Sequence, residues 1–464
     1  MRYESYKSSG VAWLGEIPEH WEVKPLRSVL QARNEKNDPI KTNQILSLSI
    51  AKGVTLYSDK GRGGNKSKSD LTAYKLAYPD DIVMNSMNVI VGAVGLSKYF
   101  GAISPVYYAL HVRSQSQNIH FYDKIFSNRY FQSYLSIFGK GILIKESSSG
   151  KLNTIRMKIS MDDLKKVPLP LPPLEEQESI VRYLNFYEHK INKAIHVKKK
   201  LIATLSEQKQ AIIAHAVTKG VDLHVKMKES GISWLGEIPE HWEIEQGLAA
   251  FQEKKVKNTG LKEKRVLSLS YGKIIIKPEE KLKGLVPESF ETYQIVDGGD
   301  IIIRSTDLQN DITSLRIGLV KDRGIITSAY ICLQTTDLIS SQFGYLLLHV
   351  LDLLKVFYGM GSGLRQNLNY KDLKRMPIWI PPLEEQKAIV EFIEQETATI
   401  DKAIELSKKE IELLEEYKTR LIADVVTGAV NVREEAQNLP QIEEDSLAFE
   451  SEAYEAEEEE ISDE

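Results

Sequence analysis

The feature that most constrains this chain is that it is written twice. Residues 9–22 read SGVAWLGEIPEHWE and residues 230–243 read SGISWLGEIPEHWE, so Trp13 returns as Trp234 after a shift of 221. LSLS recurs at the same shift, Ser47 and Ser49 returning as Ser268 and Ser270. YPDDIVMN, ending at Asn85, has a looser echo in DGGDIIIRS around Asp300, and GLSKYFGAIS (95–104) echoes GLVKDRGIIT (318–327). PLPLPPLEEQ ends at Gln177 and PIWIPPLEEQ at Gln386, a shift of 209, so insertions or deletions separate the copies between Tyr107 and Pro172. Internal duplication of this kind is the signature of a repeated architecture.

Each copy has two parts. The first, 1–171 and again 226–380, mixes short β-branched and aromatic runs with Gly, Asn and Ser turns. VLQARN, QILSLSI, DIVMNS and YYALHV read as strands, and FYDKIFSNRYFQSYLSIF has helical spacing. This predicts an α+β fold for each head. The second part, 172–225 with its linker and 381–430, is a long helix. Prolines followed by two glutamates mark each start, and Gly220 and Gly428 mark the ends. The helices are expected over 174–219 and 383–427, each roughly 65–70 Å long.

A 4,3 spacing draws one seam on each helix. The first seam is Leu184, Glu188, Ile191, Ile195, Lys198, Ile202, Leu205, Lys209, Ile212 and Ala216. The second is Ile393, Thr397, Ile400, Ile404, Ser407, Ile411, Leu414, Lys418, Leu421 and Val425. The polar interruptions fall at the same three places, which predicts two equivalent helices in a coiled coil. Pairing them antiparallel is favoured, because a parallel pair needs the intervening head to return the chain along the whole rod. The expected molecule is two pseudo-symmetric α+β heads separated by two long antiparallel helices.

The formal net charge of −5 conceals an asymmetry. Residues 434–464 hold 14 acidic side chains and no Lys or Arg, leaving 60 basic against 51 acidic residues before them. The body is therefore basic enough for nucleic acid, and the acidic tail, 431–464, is expected to lack a core. A single cysteine, Cys332, excludes a disulfide scaffold and a cysteine zinc site. No apolar run reaches the length of a membrane span and the start is no signal peptide, so a cytoplasmic protein is expected. Two heads with one frame and different loops suit a ligand read in two versions, such as two half-sites of a duplex. A coiled-coil adaptor that binds only proteins is the alternative.

The order of head, long helix, head, long helix resembles the specificity subunit of type I restriction–modification systems. WLGEIPEHWE opening each head, LPPLEEQ or IPPLEEQ opening each helix, and GSGLRQN (361–367) before the second helix carry that resemblance, over about 1–430. It implies that each head is a target-recognition domain reading half of a split, asymmetric double-stranded DNA site, with the coiled coil setting the gap. It implies two modification subunits, which methylate adenine, and restriction subunits as partners. S-adenosylmethionine, ATP and Mg are then expected in those partners, and no cofactor in this chain.

The residues agree with a chain that has no catalysis of its own. GRGGNKSKS (61–69) does not fit a phosphate-binding loop, the Pro-Pro pairs lack the setting of an amino-methyltransferase motif, and the histidines have no metal spacing. His20 and His241, in the repeated PEHWE, are expected to be structural, as are Trp13, Trp21, Trp234 and Trp242. DNA contact needs cations for phosphate and paired donors and acceptors for bases. In the first head that points to Lys60, Arg62, Asn65, Lys66 and Lys68, with Lys151, Asn153 and Arg156 in a second loop. In the second head it points to Arg304, Gln309 and Asn310, and to Arg365, Gln366 and Asn367.

Overall fold

Strand-forming runs separated by Gly and Asn turns make the same sheet in both copies of this computed structural model. It describes residues 2–50, 52–59, 70–142, 145–146, 152–153, 156–278, 289–308, 311, 314–360, 367–440 and 442, with backbone alone at 142, 145, 146, 152, 153 and 156. In the first head β1 (Leu30–Arg33), β2 (Ile82–Asn85), β3 (Val94–Leu96) and β4 (Tyr107–Val112) form an antiparallel sheet in the order β1-β4-β2-β3. In the second, β5 (Phe251–Glu253), β6 (Ile301–Ile303), β7 (Ile317–Leu319) and β8 (Ile331–Thr335) take the same order, β5-β8-β6-β7. Helices cover one face: α1 (Ile119–Ser127) and α2 (Arg129–Leu135) in the first head, α3 (Ser341–Leu353) in the second. The fold is the expected pair of α+β heads with two long helices.

Among the described residues the chain forms two units, one holding 2–145, 152–196 and 410–442 and the other holding 197–409. Each long helix, Leu174–Lys219 and Leu383–Val426, therefore contributes one half to each unit. In the first unit Leu184, Ile191 and Ile195 share a core with Leu421 and Val425, and Lys418 bonds Asn192 (3.0 Å). In the second, Ile213 and Ala216 share a core with Ile389 and Ile393, and Lys209 bonds Asp401 (2.5 Å). Within the first unit Glu176 meets Arg433 and Asn192 meets Lys418, and within the second Lys209 meets Asp401 and Gly220 lies against Glu385, so rising numbers on one segment meet falling numbers on the other and the helices run antiparallel in each unit. All twenty seam residues are shielded at least in part from solvent, as burial of one apolar stripe requires.

The repeated motifs meet each other in space. The head's opening strand pairs with the strand before the long helix: Glu22–Pro25 with Pro168–Leu171, and Glu243–Gln246 with Pro377–Ile380. Glu176 Oε2 then accepts from Trp21 Nε1 (2.8 Å) and meets His20 Nε2 (2.8 Å). Glu385 does the same with Trp242 Nε1 (3.0 Å) and His241 Nε2 (2.7 Å). Gln177 accepts from the backbone of Asn118, the N-cap of α1, and Gln386 from Ser340, the N-cap of α3 (both 2.9 Å). The helix ends close the same clasps. A side chain at Gly428 would strike Pro18 and Trp21, and one at Gly220 would press on Glu385 and Trp242. The glycines are thus needed both for their left-handed turns (φ 77° and 78°) and for room.

Two expectations change. The helical run 121–138 breaks at Asn128, whose backbone is extended and whose side chain caps α2 by accepting from Tyr130 N (2.8 Å). The acidic tail begins inside the first unit: Arg433–Gln437 is a short helix, and Val432 and Ala436 are buried. Arg433 supplies the reason, meeting buried Glu176 (3.4 Å) and lying over the Tyr3 ring. From 443 onward the tail lies outside the described residues.

Candidate nucleic-acid interface

The sheet of each head presents two segments side by side: the connection after its third strand in space, and the turn before the helix that precedes the clasp. In the second head these are the loop from Arg304 and the turn from Asn367 to Asn369. Leu368 N donates to Ser305 O (2.8 Å) and Asp307 N to Asn367 Oδ1 (3.1 Å). In the first head Ile159 N donates to Ser86 O (3.0 Å), the matching bond one copy earlier. The turns are closed alike, by Ser160 capping Met161–Leu164 and by Asn369 in a capping box on Tyr370–Leu373. Two sequence loops, 73 residues apart in the first head and 63 in the second, therefore form one edge in each head.

On the second head that edge carries Arg304, Asp307 and exposed Asn367. Arg304 is ion-paired with Asp311 (2.9 Å). Burial pushes the Asp311 carboxyl up, but hydrogen bonds from Ser314 and the charges of Arg304 and Arg316 outweigh it and hold it below the usual carboxylate range. Behind the edge lies a cleft of about 290 Å³ lined by Lys255, Lys257, Gln294, Ser305, Tyr330 and Asn369. Lys255 and Lys257 are exposed cations, suited to phosphate.

On the first head the corresponding cations are Lys36, Lys75 and Lys158. Lys36 pairs with Lys75 across an isolated bridge, and Lys36 and Lys158 are exposed. Lys75 donates to Tyr107 O (2.8 Å), where Gln294 donates to Tyr330 O (2.7 Å) in the second head. Burial, and the charge of Lys158 close by, hold the Lys75 ammonium below the usual lysine range. The two heads thus make one framework bond with different donors, one charged and one neutral.

Of the residues singled out from sequence, the structure brings Arg304 and Asn367 onto one edge. Asn153 and Arg156 lie on short strands, Leu152–Asn153 and Arg156–Lys158, with their side chains outside the described residues. Lys60, Arg62, Asn65, Lys66, Lys68, Lys151, Gln309, Asn310, Arg365 and Gln366 lie outside them altogether. The tryptophans pack as expected: Trp21 and Trp242 are fully buried, Trp13 lies edge-on to Phe131 and Trp234 edge-on to Trp379. Sequence reasoning missed Lys75 and Lys158. The shift of 209 would have found Lys158, since it sets Lys158 opposite Asn367 and Arg156 opposite Arg365. Asp81, in the run YPDDIVMN, is buried against Arg33 (2.7 and 2.9 Å) and belongs to the frame. Among the described residues no cluster of His, Cys, Asp and Glu could hold a metal ion, and no helix is long and apolar enough to cross a membrane.

Comparison with known proteins follows the same division. The profile of the type I restriction modification DNA specificity domain matches residues 18–201 and 246–416. A Methanocaldococcus jannaschii protein described as the MjaX type I restriction enzyme specificity subunit is 26 % identical over 467 residues, covering 93 % of this chain and 97 % of its own. The MjaVIII specificity subunit of the same organism is 29 % identical over 287 residues, 58 % of this chain and 63 % of its own. A chain from a solved structure concerning complex assembly and conformational transition of the type I R-M system shares the fold at a TM-score of 0.62 and 12 % identity, over 89 % of this chain and 99 % of that one. The profile matches once in each copy of the repeat, and the chain belongs to the type I restriction–modification DNA specificity family.

Proposed function

We propose that this chain is the DNA-reading, non-catalytic subunit of a type I restriction–modification complex. Each head reads one half of a split, asymmetric site in double-stranded DNA, and the long helices fix the number of base pairs between the halves. Two modification subunits, which hold S-adenosylmethionine, dock on it. Restriction subunits, which hold ATP and Mg, complete the complex. The observation that carries this reading is the paired edge: two heads with one frame place different side chains, Asn367 and Lys158, at the same position beside the same framework bond. A common frame gives a common docking geometry, and differing edge residues give each head its own set of base and phosphate contacts.

The body's modest excess of positive charge fits a subunit that shares phosphate contacts with partners. Alone, the chain is expected to bind DNA weakly with strong salt dependence. The test is to express it with its methyltransferase partner and map methylated adenines by sequencing. A split motif supports the reading, and exchange of residues 1–171 for another head changes only one half of it. An active complex that methylates without sequence preference refutes it and leaves the protein-only adaptor.

A further inference from the structure

Arg316 stands in SLRIGL, where an apolar strand is otherwise expected, and it is fully buried. A guanidinium keeps its charge and has five N–H donors, and every one of them has an acceptor here. Nε donates to Tyr358 Oη (3.0 Å). Nη1 donates to the carbonyls of Arg304 (3.2 Å) and Thr306 (2.8 Å), and Nη2 to those of Asp307 (3.2 Å) and Asp311. Tyr358 Oη passes its own hydrogen to Asp311 O (3.1 Å). The backbone N–H of Arg316 donates to buried Asp352 at the end of α3 (2.7 Å), which fixes the residue to the frame.

Four of those five acceptors are backbone carbonyls of a single loop, the one whose outer edge carries Arg304 and Asp307 and is bonded to Asn367. Asp307 is left-handed (φ 61°), a strained backbone for a residue with a side chain, and such a conformation persists only where neighbours impose it. Among the described residues the first head has nothing equivalent. Alignment of GLSKYFG with GLVKDRG sets Ala93 opposite Arg316, and its connection, 86–93, is shorter than 304–316.

We propose that Arg316 is a positioning residue for base discrimination by the second head alone. It holds the reading edge in shape before DNA arrives, so that the bases meet fixed groups instead of a loop that must be ordered on contact. Its charge is buried and bound to carbonyls, so its loss changes which bases are accepted and not the charge shown to phosphate. The proposal rests on the reading of the chain as a specificity subunit.

The test uses the complete complex with Arg316→Met, Arg316→Lys and Tyr358→Phe, mapping methylated sites and recording thermal unfolding. Arg316→Met is expected to leave the first half of the motif intact and to broaden the second, discrimination there falling roughly tenfold or more. Arg316→Lys keeps the charge but not the fork of donors and shows a smaller change, and Tyr358→Phe the smallest. Where Arg316→Met does not assemble, the two milder variants decide. A split motif unchanged base for base in both of them, with lowered melting, overturns the proposal and leaves Arg316 a brace of the core. A wild-type complex without a split motif removes the functional reading itself.

Discussion

The two heads keep the same buried polar frame and differ at its rim. Asn37 and Asn258, both fully buried, tie their loops by the same pattern, Nδ2 donating to Thr42 O and to Glu263 O (both 2.9 Å). The pair Arg33–Asp81 in one head becomes Lys254–Asp300 in the other. Burial works against the Lys254 charge, yet its bonds to Asp297 and Asp300 carry its pKa above the usual lysine range. In the frame Lys75 gives way to Gln294, another donor to the same carbonyl; at the rim Lys158 gives way to Asn367, and a short connection to a long one pinned from beneath. A buried polar group without its partner is costly, so the frame tolerates only matched exchanges. The rim faces solvent and is free to vary, and variation there changes what is read without changing how the head folds.

The clasps offer the hardest test of this equivalence. Trp21→Ala and Trp242→Ala each remove a fully buried ring and should each cost about 3–5 kcal/mol, measured by denaturant unfolding of the full chain. One variant close to wild type would break the comparison. The glutamates sharpen it. Glu176 is nearly buried and also meets Arg433, whereas Glu385 keeps about a fifth of its side chain exposed. Glu176→Ala is therefore expected to destabilise more than Glu385→Ala.

Acid should strike the second unit first. Burial, with Lys209 nearby, lowers the His349 pKa to about 4, and counting from the N-caps the first head has Ser127 at that place. The unfolded state takes up a proton near pH 6.5 that the folded state refuses until about 4. Stability from this group is thus full above 6.5 and is lost as pH falls toward 4, by up to about 3 kcal/mol. Hydrogen exchange in the second unit should rise over that window, and His349→Phe should abolish the rise; an unchanged profile in the variant would locate the sensitivity elsewhere.

Smaller effects belong to the rim. Asn367→Ala should relax one base preference in the second half of the motif by about 1–3 kcal/mol and leave the first half alone. Lys158→Ala, at the same position of the other head, should weaken binding evenly across sequences and lower the salt slope by about one. A sequence-selective loss from Lys158→Ala would mean that the first head reads bases where a phosphate contact is expected.

Much of the fold was legible in the sequence because it is written in local periods. The long helices begin at Leu174 and Leu383 where the prolines and glutamates predict, and they end within a residue of expectation before Gly220 and Gly428. The seam follows from a spacing that any reader can count, and burial of a single stripe leaves little choice about its partner. The glutamates of LPPLEEQ read as charges at a helix start. Their second member is in fact a buried acceptor for a tryptophan 155 residues earlier, and no spacing rule reports a contact of that reach.

The candidate edges were half legible for the same reason. Arg304 and Asn367 were visible as residue types in loops, but their meeting depends on a bond from Asp307 to Asn367 across sixty residues. Lys75 lies in a strand-like run, and its place beside Tyr107 O and Lys158 is set by contacts between distant segments. The sequence alone determined the duplication, the helices, their ends and the apolar seam, because helix periodicity and capping act within a few residues of one another. Only the tertiary structure decided which polar groups share a buried frame and which loops share an edge, because those contacts satisfy hydrogen bonds between distant segments and appear only once the sheet has closed.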